Sequence, residues 1–229
     1  MRHLILSFLL LMNSGLLWGQ DSTQIANEIL ALARPFQQAE KWHLQQEIIM
    51  RDRASGEVLD REKTETYSAG AGQLSLQFSE EILAQEPYLV KVDNEAREII
   101  VEPYAGSSAT AFALEEYFEM YKELGFRETS SDRIYTLYLQ PYYIYSKIQL
   151  HVSKENGEIK KLVIFPKYPM TVKGRERDIQ LDIQYRKIDF NPAKAEEMVS
   201  AARYFKSKGS TLTLTSPYRD YKLINRLNP

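Results

Sequence analysis

From Trp42 to Ile188, apolar residues recur at every second position in one short run after another. This period of two confines most of the chain to half-buried β-strands. Trp42, Leu44, Ile48 and Met50 alternate with His43, Gln45, Glu47 and Arg51. Residues 58–67 continue as a polar strand. Leu74, Leu76 and Phe78 point one way on the next run, and Tyr88, Val90 and Val92 on the one after. Further strands are expected over 97–101, 134–140, 146–153, 159–165, 178–188 and 211–215, with one more in the tail from Tyr218 to Asn225. Turn residues separate them: Ala54-Ser55-Gly56, the glycines 70 and 72, Asp93-Asn94, and Asn156-Gly157, the strongest hairpin signal in the chain. Short hairpin links make the sheet antiparallel.

Three stretches carry a helical period instead. Residues 21–38 place Ile25, Ile29, Leu32 and Phe36 on one stripe, with Asp21 and Gln24 as a capping box and Pro35 to kink or end it. A second helix is expected from Ser107 or Ser108, with Leu114, Tyr117, Phe118, Tyr121 and Leu124 as its stripe and Gly125 as its stop. Asn191-Pro192 opens a third, which runs to about Phe205. Strands and helices do not alternate as a parallel sheet requires. The expected fold is α+β: one domain with a large, curved antiparallel sheet of about ten strands and three helices on its concave side.

The N-terminal stretch reads differently. Residues 1–19 carry a short basic start (Arg2, His3), an apolar run from Leu4 to Met12, and Gly19 before a plausible cut. That is the pattern of a secretory signal peptide, and the run is shorter than the ~20 residues of a spanning helix. Its removal leaves 28 basic and 31 acidic residues. Position 20 is Gln20, so the Cys of a lipoprotein anchor is missing there. The expectation is a protein of the periplasm without a transmembrane span, folded as one unit over residues 20–229.

The chemistry is quickly bounded. The chain has no Cys and three His, and its net charge of −2 leaves no electrostatic footprint for nucleic acid. His43 and His151 lie on strands without a Gly-x-Ser-x-Gly elbow or a His-x-x-x-His pair. Asp93-Asn94-Glu95 lacks the glycine of a calcium loop and reads as a turn. No phosphate loop or dinucleotide fingerprint occurs, so no cofactor is expected. Glu80-Glu81, Glu115-Glu116 and Glu196-Glu197 read as solvated loops or helix faces, although a carboxylate pair drawn from different strands escapes sequence reading. Residues 173–177 form a charged loop. Fifteen tyrosines are the compositional anomaly, with Tyr135, Tyr138, Tyr142, Tyr143 and Tyr145 around Pro141. They fit either ordinary sheet packing or an amphipathic mouth.

The order of elements supplies a resemblance. A leader, one amphipathic helix, polar hairpins and "YLVKVDNEAREIIV" at 88–101 form the first half. A middle helix, "YSKIQLHVSKENGEIKKLVIF" at 145–165 and "DIQLDIQY" at 178–185 form the second. This layout resembles the periplasmic outer-membrane lipoprotein carrier (LolA-like) superfamily, especially its divergent Bacteroidetes-type members. The resemblance implies a half-open β-barrel that holds or senses acyl chains without catalysis, its partner a lipid or an acylated protein. The early strand lacks the family's Arg-Pro segment, and the C-terminal "SPYRDYKLINRLNP" is an extension. The in-phase apolar residues are then the candidate groove: Ile48, Met50, Leu74, Leu76, Phe78, Tyr88, Val90, Ile148, Leu150, Leu181 and Ile183. The alternative is a non-catalytic structural or interaction protein of the cell envelope, using the same sheet to meet an envelope partner.

Overall fold

A computed structural model describes residues 22–106, 120–209 and 211–227. The leader and most of the expected second helix lie outside these residues.

Helix α1 (Ser22–Gln38) is followed by strands β1 (Lys41–Asp52), β2 (Val58–Ala69), β3 (Gly72–Leu76), β4 (Glu80–Gln85), β5 (Tyr88–Asp93) and β6 (Glu98–Pro103). After residues 107–119 come β7 (Tyr121–Glu128), β8 (Asp132–Leu139), β9 (Tyr145–Ser153), β10 (Ile159–Pro166), the short hairpin β11 (Met170–Val172) and β12 (Arg175–Arg177), and β13 (Ile179–Asp189). The C-terminal segment holds α2 (Ala195–Met198), β14 (Phe205–Lys208), β15 (Thr211–Leu214) and β16 (Lys222–Asn225). Twelve strands form one large curved sheet in the order β16-β6-β5-β4-β3-β2-β1-β13-β10-β9-β8-β7. It is two meanders, β1 to β6 and β7 to β13, joined where β1 pairs with β13. Every pairing is antiparallel except β16 on β6, which is parallel.

Three hairpins share one turn. Asp52, Asp93 and Ser153 each accept, through a side-chain oxygen, from the backbone N–H two residues on. The fourth residue on has positive φ: Gly56, Arg97 and Gly157. Such turns join antiparallel neighbours directly.

The sheet buries different faces at its two ends. Directly paired residues share a face. On the front face α1 lays Ile25, Ile29, Ala33 and Phe36 against Trp42, Leu44, Leu137, Ile148, Leu150, Leu162 and Ile164. Phe36 meets Trp42 edge-on at 5.8 Å and Phe190 at 5.0 Å. The Tyr135 hydroxyl donates to Glu28 Oε2 of the helix at 2.8 Å. On the back face, Leu74, Leu83, Val90, Val92, Ile99 and Val101 pack under Val199, Tyr204, Phe205 and Tyr218 of the C-terminal segment. Gly72 admits that segment: a Cβ there would come within 2.5 Å of Val199 Cγ1.

Several expectations are corrected here. Pro35 does not end α1, which runs on to Gln38. Tyr121, Leu124 and Gly125 lie on a strand, because Leu124 and Phe126 alternate into register with Leu137 and Tyr135 of β8. Sheet pairing there outweighs local helical periodicity. The third helix is reduced to Ala195–Met198 and a 3₁₀ turn at Ala201–Arg203, so two α-helices are described rather than three. Contacts with the sheet break it: Ala201 N–H donates to Gln85 Oε1 of β4, and Phe205 starts a strand. Glu80 and Glu81 sit on β4, and residues 173–177 belong to a hairpin.

The C-terminal segment is pinned by one acid. Glu81 accepts from the Tyr204 hydroxyl at 2.8 Å and the Tyr218 hydroxyl at 3.1 Å, and Arg203 approaches it at 3.5 Å. Tyr204 is fully buried. Tyr204→Ala should therefore lower unfolding stability by about 3–5 kcal/mol and expose the chain after residue 190 to protease. Urea titration with limited proteolysis measures both, and a loss under ~1 kcal/mol would show that Tyr204 does not anchor the segment.

Candidate functional site

Register places two apolar rows side by side on the front face. Met50, Leu181, Ile164, Ile148, Leu137 and Leu124 form one row across six strands. Ile48, Ile183, Leu162, Leu150, Tyr135 and Phe126 form the other. Helix α1 buries the middle of both rows, while Ile48, Met50, Leu181 and Ile183 stay half-buried. The rows stop at β2, where Asp60 and Glu62 stand opposite Met50 and Ile48. The result is an apolar strip beside a helix, with an acidic margin.

Of the eleven candidate groove residues, six line this strip: Ile48, Met50, Ile148, Leu150, Leu181 and Ile183. Four others, Leu74, Leu76, Tyr88 and Val90, belong to the core on the back face. Phe78 lies past the end of β3 and is 87% exposed. One sheet therefore does not gather the eleven into one groove. The signal in the sequence is β2: its residues 60–66 are polar at every position, so it separates two halves with opposite buried faces.

The back face of β2, β1 and β13 carries a paired charge ladder. Buried Glu47 accepts from Arg186 and from Arg61 Nη1 at 2.8 Å. The Arg186 hydrogen bond and then the Arg61 charge outweigh burial and hold the Glu47 carboxyl below the usual carboxylate range. Arg51 Nε donates to buried Asp182 at 3.0 Å, as does Gln180 Nε2 at 2.9 Å. Glu65 bonds Gln45, the Tyr67 hydroxyl and His43, whose ring stacks on Tyr67 at 4.1 Å. Hydrogen bonds from Ser55 and Arg177 likewise hold the Asp52 carboxyl low. The lowered Glu47 and Asp52 carboxyls are the reverse of the raised carboxyl a general acid needs. Sequence reading left this ladder unseen, because Glu47 and Arg186 are 139 residues apart. Among the described residues no group of three or more His, Cys, Asp or Glu is arranged to hold a metal ion.

A cleft of about 450 Å³ on the back face is lined by Asp132, His151, Lys160, Lys161, Tyr185 and Arg186 among others. Most of its lining residues are charged or polar, and Ile159 and Tyr185 complete the lining. No helix among the described residues is long and apolar enough to cross a membrane.

Among known proteins, similarity is found in solved structures. No family model matches the sequence, and no curated protein matches it. Solved structures similar to it include an uncharacterized conserved protein from Thermus thermophilus, 11% identical, covering 90% of this chain and 100% of that one, with a TM-score of 0.47. A LolA superfamily protein from Nitrosomonas europaea is 10% identical over 80% of this chain and 99% of its own, with a TM-score of 0.37. MucB, solved in complex with MucA(peri), is 13% identical over 86% of this chain and 62% of its own, with a TM-score of 0.40.

His151 faces the same side as the ladder. Burial first, then the Lys161 charge, bring its pKa down to about 4; Arg127 adds to the lowering, and Asp132 and Asp182 oppose it. The unfolded chain then binds a proton between pH of about 6.5 and 4 that the folded chain refuses. Stability should fall with pH through that window, by about 3 kcal/mol in all. Urea unfolding at three pH values would show His151→Gln with a flatter dependence than the parent, and equal slopes would reject the assignment.

Proposed function

We propose that the chain is an exported, non-enzymatic binding protein of the periplasm that takes up an apolar or lipid-linked ligand, such as the acyl chains of a lipoprotein. The front-face strip is the binding surface. One observation carries this reading: two apolar rows cross six strands, and their β1–β13 end stays partly open beside α1. Burying an acyl chain contributes about 0.8 kcal/mol per methylene, so eight methylenes supply about 6 kcal/mol without any reacting group. The arginine-paired acids of the back face, Glu47 and Asp182, fit a scaffold that holds register. Residues 1–19 direct export, and an element order that resembles the LolA-like carriers is in keeping with a carrier or sensor of the envelope.

The two faces give the test an internal control. Ile183 lies in the open strip, and Leu76 lies on the back face at the margin of the other core. Uptake of a fluorescent fatty acid should weaken at least tenfold in Ile183→Glu and stay within about twofold of the parent in Leu76→Glu. Native mass spectrometry without detergent should find a retained lipid in the parent. A folded Ile183→Glu that binds equally well would reject the strip. A parent that carries no lipid and takes up none would favour a scaffold that meets an envelope partner through the same sheet.

A further inference from the structure

Two features far apart in the sequence meet at one end of the sheet: the tyrosine run near Pro141 and the basic segment near Lys173. The β8–β9 loop and the chain leaving β10 are tied together there. Lys167 N–H donates to the Ile144 carbonyl at 2.8 Å, and Lys167 Nζ to the Pro141 carbonyl at 2.6 Å. The joined loops hold four large side chains out to solvent: Tyr142 at 75% exposure, Ile144 at 65%, Tyr168 at 62% and Met170 at 42%. Met170 opens the hairpin β11–β12, where it pairs with Arg177. Residues 140–147 and 166–177 together contain five cations (Lys147, Lys167, Lys173, Arg175 and Arg177) and one acid, Glu176. A cleft of about 320 Å³ separates this hairpin from β2 and is lined by Lys173, Arg175 and Arg177 together with Glu57.

A scattered exposed tyrosine needs no explanation. A set of exposed Tyr, Ile and Met side chains on two tied loops, with cations in the same segments, is different, above all on a chain whose net charge is −2. Tyrosine rings settle at the headgroup level of a bilayer, aliphatic side chains enter the acyl boundary, and cations meet lipid phosphate. We propose that this end of the sheet docks on an anionic phospholipid membrane. Ile144 and Met170 insert, Tyr142 and Tyr168 lie among the headgroups, and Lys173 and Arg175 pair with phosphates. The complementary charge selects this occupant over a neutral bilayer. The surface is separate from the ligand strip and stands without it.

Sedimentation with sucrose-loaded vesicles tests the docking, using phosphatidylcholine alone and phosphatidylcholine with about 30% phosphatidylglycerol. The protein should bind the anionic vesicles at least tenfold more tightly, and high salt should release it. Lys173→Glu with Arg175→Glu should weaken binding about 25-fold or more, at about fivefold or more per reversed charge. Tyr142→Ser with Ile144→Ser should also weaken it, with an unchanged circular-dichroism spectrum because both side chains are exposed. Lys208→Glu, on β14, should bind like the parent. Absence of binding to anionic vesicles at low salt overturns the proposal. So does equal binding to both vesicle types, or binding indifferent to both pairs of substitutions, which would turn attention to a protein partner. Fatty-acid uptake by the same variants separates the readings: a chain that takes up fatty acid and ignores vesicles loses only the docking, and one that docks without uptake loses only the ligand strip.

Discussion

Strand β1 is bonded along both edges, to β2 and to β13, and the rest of the sheet depends on that double pairing. Its parity decides which side chains of each half look forward and which look back. To one side, β13, β10, β9 and β8 extend its apolar positions across the front face, where α1 covers them. To the other side, β2 carries polar residues forward and back, and beyond it β3 to β6 turn their apolar positions to the back. A single covering layer cannot serve such a sheet. The N-terminal helix closes one end and the C-terminal segment closes the other, on opposite sides.

The charge ladder follows from the same arrangement. Near the changeover neither face of β1 can be wholly apolar, so its back-face positions hold Glu47, Gln45 and His43. A carboxylate as buried as Glu47 is tolerable only when paired and hydrogen-bonded, and Arg61 from β2 and Arg186 from β13 meet it from both sides. Three strands are thereby clamped by their side chains as well as their backbones. A slip of one residue between β1 and β13 would set Arg51 opposite Leu181 and Met50 opposite Asp182, so the ladder specifies register more than it adds stability.

The sequence was informative wherever the decision was local. The period of two located most strands, α1 showed its stripe of Ile25, Ile29 and Phe36, and Asn156-Gly157 marked a hairpin. It misled where distant residues decide. Residues 121–125 carry a helical stripe, yet the free edge of β8 takes them as a strand. Residues 199–205 are helical by pattern, but Gln85 and Glu81 draw them onto the back face. The groove residues show the same division. Each strand's apolar side was legible, but whether Leu76 and Ile183 share a face depends on counting register through β3, β2, β1 and β13, which no single strand records.

Register also relates the apolar strip to the cationic end of the sheet. Met50 lies two residues from the end of β1, Leu181 two from the start of β13, Ile164 two from the end of β10 and Ile148 three from the start of β9. At about 3.3 Å per residue, the first apolar row begins within ~10 Å of the loops that carry Tyr142, Ile144 and Tyr168. A bilayer at that end would face the open margin of the strip across about 10 Å. A hydrocarbon chain could then pass from one apolar medium to the other with little of its length in water, and each methylene kept dry spares about 0.8 kcal/mol. The separation across which such a transfer would run is set by strand ends, and the pairing of β1 with β13 places two of them.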